Sequence, residues 1–262
     1  HPQAFPSLLL PWWLEKTISD QPDLPFQATL VYSTINGYYA IRLIDNLMDD
    51  QATVELMLLP ALNFFQTQFQ TAYYPYFGAD HPFWNAFNAI WLHSAEVTLQ
   101  DATLTDLDAR QFEQVSAQKV CAAKIPLIAV CYWRQRPDLI EPWSRLVDLL
   151  GCWHQLINDL FGWHRDYACQ IHTYFLAEAE QRREADEPVA GWVAREGFDW
   201  AIGKSHGWMS ALKALTGELQ SSELLTYLET REAMLIRQTQ EVAAGLETIS
   251  KIVAESRVAG GK

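Results

Sequence analysis

The sequence predicts an all-α protein. Apolar residues recur at three- and four-residue spacing through almost every long segment, and strict period-2 runs bounded by turn signals recur nowhere. The 262 residues are 49% apolar and 13% aromatic, with 12 Gly and 12 Pro, and no Gly/Ser/Pro-rich linker breaks them. One domain over residues 1–262, large enough to bury a sizeable core, is the expectation.

In chain order, the periodicity places helices over about 26–50, 53–72, 82–100, 107–135, 139–167, 189–215 and 221–256. Pro75 and Pro82 bracket a turn around Phe77-Gly78, Pro137 and Pro142 separate two helices, and Pro188 ends a charged surface stretch. Pro60 and Pro126 fall inside helical patterns. There a missing N–H and a ring clash must kink the helix or divide it.

Lys and Arg number 19 against 32 Asp and Glu, a formal charge of −13, so a nonspecific nucleic-acid binder is excluded by its own field. Crowded carboxylates are costly without a cation, which directs attention to hard metals. Cys121, Cys131, Cys152 and Cys169 form no CxxC pair and sit in apolar runs. They read as reduced thiols, and a cytoplasmic location follows. No apolar run approaches the roughly 18–20 residues of a membrane span, and no signal-peptide pattern opens the chain. The first residue is His1, which leaves a removed leader open.

The first chemical constellation is Arg42-Leu43-Ile44-Asp45-Asn46-Leu47-Met48-Asp49-Asp50. Asp45 and Asp49, four apart, share one face of a helix, one turn from each other. Hard oxygens so placed suit Mg²⁺, which takes one or two carboxylates, several waters and substrate phosphate oxygens. A merely solvated acidic last turn is the alternative, but it would face the negative end of the helix dipole.

The second is Asn158-Asp159-Leu160-Phe161-Gly162-Trp163-His164-Arg165-Asp166. Asn158, Gly162 and Asp166 form one stripe over two turns, an amide at one end and a carboxylate at the other. A glycine inside a helix costs roughly 1 kcal/mol against alanine, so close approach or open space is wanted at Gly162. A packing glycine beside surface polar groups is the alternative.

Together the motifs resemble those of class I isoprenoid synthases: Asp45-Asn46-x-x-Asp49-Asp50 their aspartate-rich motif, and Asn158-Asp159-Leu160-x-Gly162-x-x-Arg165-Asp166 their second metal motif. In residues the likeness covers these two helices and the segment around Lys119. Asn46 stands where the first motif has a second Asp, Gly162 where the second has a hydroxyl, and Asp166 where it has Glu. The resemblance implies an α-bundle around a deep apolar cavity. It implies three Mg²⁺ ions held on a polyprenyl diphosphate by Asp45, Asn46, Asp49, Asp50, Asn158, Asp159, Gly162 and Asp166. Asp45, Asp49, Asn158 and Asp166 would be the catalytic ligands.

A diphosphate must also meet protein cations. Phe112-x-x-Val115-x-x-x-Lys119 resembles the segment that brings a diphosphate-binding lysine in prenyltransferases. Arg165 stands where the second motif carries a basic residue, and Lys124, Arg110 and Arg231 are further candidates. Arg42 either reaches phosphate or pairs with an acid. Steps of three and four residues from the two motifs lead to Ile41, Tyr38 and Thr34, and to His154 and Gly151, which form the expected pocket wall. His154 reads equally as a satisfied core histidine.

The Arg pair and the Gly-Lys-x-x-Arg segment of chain-elongating prenyl synthases are absent, and Asp159 is followed at four by Trp163, unlike squalene and phytoene synthases. The resemblance therefore implies a terpene synthase that ionises a polyprenyl diphosphate and cyclises or quenches the cation. Prenyl transfer to a separate acceptor and a non-catalytic prenyl-lipid-binding role are the alternatives. A homodimer, common in that superfamily, is a further expectation, and no integral membrane span is expected.

Overall fold

The computed structural model describes residues 4–48, 56–101 and 108–260, with side chains over 4–46, 57–96 and 108–245. Every regular element among the described residues is helical. The helices are α1 (Leu10–Ile18), α2 (Leu24–Met48), α3 (Leu59–Thr71), α4 (Phe83–Asp101), α5 (Ala109–Lys119), α6 (Lys124–Trp133), α7 (Ile140–Ala168), α8 (Tyr174–Arg182), α9 (Val189–Trp192), α10 (Phe198–Glu218) and α11 (Ser222–Gly260).

Prolines divide more than they kink. Pro11, Pro25, Pro60 and Pro126 each fall in the first turn of a helix, where a missing N–H costs nothing and φ is already set. The expected helix over 107–135 is thus α5, a 3₁₀ turn (Cys121–Ala123) and α6, and the expected 53–72 begins as a 3₁₀ turn before α3. The expected 189–215 is interrupted by a π turn (Val193–Gly197) between α9 and α10. Helices α1 and α8, of nine residues each, are additional to the expectation.

The centre of the molecule is α7, whose Trp143, Leu146, Leu150, Leu156 and Leu160 are at most 1% exposed. It packs on α5, α6, α8 and α10, while α11 covers α10. Helix α2 packs chiefly on α3. Tyr32 Oη donates to Gln68 Oε1 at 2.9 Å, and Tyr39 stacks on Phe65 at 5.3 Å, so α2 and α3 run antiparallel.

One buried ion pair ties α1, α2 and α6 together. Glu15, with no exposed surface, accepts from Arg134 Nε at 2.6 Å, Gln27 Nε2 at 2.6 Å and the Asp23 backbone N–H at 3.2 Å. A second Arg134 nitrogen closes the fork. A carboxylate withdrawn from water is tolerable only with its lone pairs so filled.

Candidate functional site

The α2 motif occupies the last two turns of its helix. Asp45 is partly exposed and accepts from Arg42 at 2.9 Å, so Arg42 pairs with an acid, one of the two roles expected of it. Asn46 is half-buried beside it. Asp49 and Asp50 lie outside the described residues. Toward the N-terminus, Ile41 and Thr34 are half-buried, and the Thr34 hydroxyl oxygen is buried without a hydrogen-bond partner. Tyr38 is 58% exposed, so this side of the expected pocket wall is open.

On α7 the stripe has an open end and a closed one. Asn158 is exposed and Gly162 half-buried, whereas Asp166 is 5% exposed. Asp166 Oδ1 accepts from Arg165 Nε at 3.1 Å and from a second Arg165 nitrogen at 2.9 Å. Arg165 itself is largely exposed, and the carboxylate raises its pKa further. A Cβ at Gly162 would lie 3.2 Å from Asp166 Oδ2 and 3.4 Å from an Arg165 nitrogen. The missing side chain therefore leaves room for the second carboxylate oxygen and the guanidinium. Asp159 points elsewhere: it is buried and accepts from Gln155 Nε2 at 2.7 Å.

Among the remaining expected residues, Gly151 is buried under α5, where a Cβ would come within 2.6 Å of Val120 and 2.8 Å of the Ser116 carbonyl. It permits close helix approach. His154 meets the ring of Phe5 edge-on at 5.7 Å, and burial, with Arg231 nearby, pushes its pKa down to about 4. Arg231 is 5% exposed between the rings of Trp153 (5.2 Å) and Tyr227 (5.9 Å). Lys124 is paired with Asp148 at 2.7 Å, and burial raises the Asp148 pKa in spite of the lysine. Lys119 is exposed in the last turn of α5, and Arg110 is exposed in its first. Arg165 is held against a motif carboxylate, as Arg42 is against Asp45.

Sequence periodicity did not reveal the apolar groove. It measures about 240 Å³ and is lined by Phe161, Trp163, Val193, Ala194, Phe198 and Val242, with Leu160 at its base. The π turn supplies two of these side chains, and no pattern at 3.6 residues announces such a turn. On α7 the groove is lined by Leu160, Phe161 and Trp163, which at about 100° per residue centre on the side of the helix roughly opposite the Asn158–Gly162–Asp166 stripe.

The oxygens of each motif, carboxylate and amide, are of the kind a hard cation takes, but α2 packs chiefly on α3 and α7 on α5, α6, α8 and α10, so the packing of the helices does not itself bring the two motifs together. Among the described residues, no group of three or more His, Cys, Asp or Glu gathers at one point. Any ion here would take part of its shell from solvent or substrate. No protein-family model matches the chain, and no curated protein matches it significantly.

Proposed function

We propose that the protein is a class I isoprenoid-synthase-type enzyme, a terpene synthase that releases pyrophosphate from a polyprenyl diphosphate with Mg²⁺. One observation carries the reading. Two helices each carry, near their C-terminal end, a motif carboxylate held by a largely exposed arginine, Arg42 on Asp45 and Arg165 on Asp166. Such pairs place guanidinium groups where a diphosphate can meet them.

Bound Mg²⁺ would neutralise charge on the leaving diphosphate. Asp45 and Asn46 on one side, and Asn158 and Asp166 on the other, are the described residues that would hold it. Arg165 stabilises the departing anion from above Gly162. Neither start nor finish of the reaction requires a protein nucleophile.

The test incubates the protein with ten-, fifteen- and twenty-carbon prenyl diphosphates, with Mg²⁺ or EDTA, and follows pyrophosphate and extractable products. Metal-dependent release is expected, lost in Asp45→Ala and Asn158→Ala with helicity unchanged. Full activity in both variants would remove the reading. A second reading, prenyl transfer to a separate acceptor, is favoured by the openness of Tyr38 and Asn158, which admits a second reactant. Release only on addition of an acceptor would select it.

A further inference from the structure

We propose that the start of α3 is a membrane-docking tip, which inserts from one side into a bilayer of zwitterionic lipid. This docking is independent of the reaction proposed above.

The tip carries a run that a water-facing helix does not need. Met57, Leu58 and Leu59 are consecutive and 76%, 42% and 46% exposed, Pro60 after them is exposed, and Phe64 follows at 53%. Consecutive exposed apolar residues of this kind are a liability unless they serve a function. Neighbouring residues of a 3₁₀ or α turn project about 100–120° apart, so the three side chains look outward over more than half the circumference of the helix. A helix that packs on a protein partner instead offers one stripe at three- and four-residue spacing. Apolar groups projecting around a helix end suit a fluid, because lipid can surround that end on every side.

Charge selects lipid, and its kind. No Asp, Glu, Lys or Arg occurs from Leu56 to Ala79, in a chain whose net charge is −13. The segment just before, Asp49-Asp50-Gln51-Ala52-Thr53-Val54-Glu55, holds one large apolar side chain and so offers little to cover the tip. Its three acids, with the net charge, are repelled by anionic headgroups, whereas phosphatidylcholine headgroups carry no net charge.

The depth also fits. Tyr39 is 49% exposed and stacks at 5.3 Å on Phe65, which lies six residues beyond Leu59, or about 9 Å along α3. Interfacial helices enter by about 5–10 Å. The Tyr39 ring therefore falls at the headgroup level, where amphipathic rings concentrate. Helix α3, with 13 residues, is shorter than the about 20 needed to cross, so entry is from one side only. Behind the tip the hairpin is firm: Gly37 lets α2 approach α3 closely, since a Cβ there would meet the Phe69 ring at 2.8 Å.

Flotation of the full chain with phosphatidylcholine vesicles tests this. Burial of four partly exposed side chains should give a partition constant on the order of 10³–10⁴ M⁻¹, no stronger than one acyl anchor, so most of the wild type floats at roughly 10 mM lipid. The double variant Met57→Glu/Leu59→Glu should bind at least about 30-fold more weakly. Leu24→Glu, 64% exposed at the opposite end of α2, should float like the wild type. Replacing half of the lipid by phosphatidylglycerol should weaken binding, and added salt should restore it. Hydrogen exchange supplies a readout that needs no variant: amides of 57–66 in the wild type should gain protection on vesicles. A wild type that stays out of the lipid, as it would if the tip docked on a protein, overturns the proposal. So does a double variant that floats equally well, binding that grows with the anionic fraction, or protection that leaves 57–66 untouched.

Discussion

Two arginine–carboxylate pairs in this molecule share a chemistry and differ in exposure. At the joint of α1, α2 and α6, Glu15 is wholly buried, and Arg134 is only 26% exposed with its fork closed on it. At the end of α7, Asp166 is nearly as buried, but Arg165 is 70% exposed and its outer edge faces solvent. The first arrangement leaves nothing for a ligand and serves cohesion. In the second, the exposed edge of the guanidinium can take a further anionic partner while the inner edge stays on Asp166.

The comparison breaks most visibly at Glu15. Glu15→Ala leaves Arg134 and Gln27 without their acceptor, and loss of one partner of a buried pair costs about 3–5 kcal/mol. Arg165→Ala should cost less, about 1–3 kcal/mol, because one buried carboxylate loses its donor and no second buried side chain does, while lowering pyrophosphate release sharply. Urea unfolding of both variants checks the contrast. Equal destabilisation would mean that the Arg165 pair is also structural.

A second contrast is in pH. His154 has its pKa pushed from 6.5 down to about 4 by burial and, less, by Arg231. The unfolded chain therefore binds the proton first as pH falls. The stabilisation is complete above 6.5 and is lost progressively between there and about 4, on the order of 2–3 kcal/mol. Carboxylates titrate in the same interval, so the informative quantity is the difference between wild type and His154→Gln. Denaturant midpoints compared at neutral pH and near pH 4.5 should show a smaller decline in the variant. Identical declines would mean that His154 is not held neutral.

The long helices were legible because helical spacing is a local property: α2, α4, α7 and α11 declare themselves by apolar stripes, and the same geometry aligns Asn158, Gly162 and Asp166. Short helices such as α1 and α8 offer too few turns for a period to stand out. Helix ends were hidden for another reason. Gln135, Gln170 and Gln220 adopt φ between 55° and 57° after α6, α7 and α10, at a position where glycine is the usual signal. What covers each stripe is set by distant chain. Phe5 and Arg231 reach His154 from the two ends of the sequence, and the π turn that builds the groove has no local signature. The spacing that suggested pocket-lining roles for both Gly151 and His154 carried no information on what packs against them.

The two glycines of α7 give the smallest and sharpest separation, because the same substitution should act with opposite sign. Alanine gains up to about 1 kcal/mol over glycine inside a helix. At Gly151 the added carbon would collide with Val120 and with the Ser116 carbonyl, a backbone atom that moves only if α5 moves. Overpacking of that kind costs about 1–3 kcal/mol, so Gly151→Ala should destabilise in spite of the helical gain. At Gly162 the neighbours are the ends of the Asp166 and Arg165 side chains, at 3.2 and 3.4 Å, which can swing aside. Gly162→Ala should therefore stabilise by a few tenths to about 1 kcal/mol, while displacing the guanidinium and slowing pyrophosphate release. Stabilisation with unimpaired turnover would show that the space above Gly162 has no part in the reaction, since a site that needs an open helix position gives up stability to keep it.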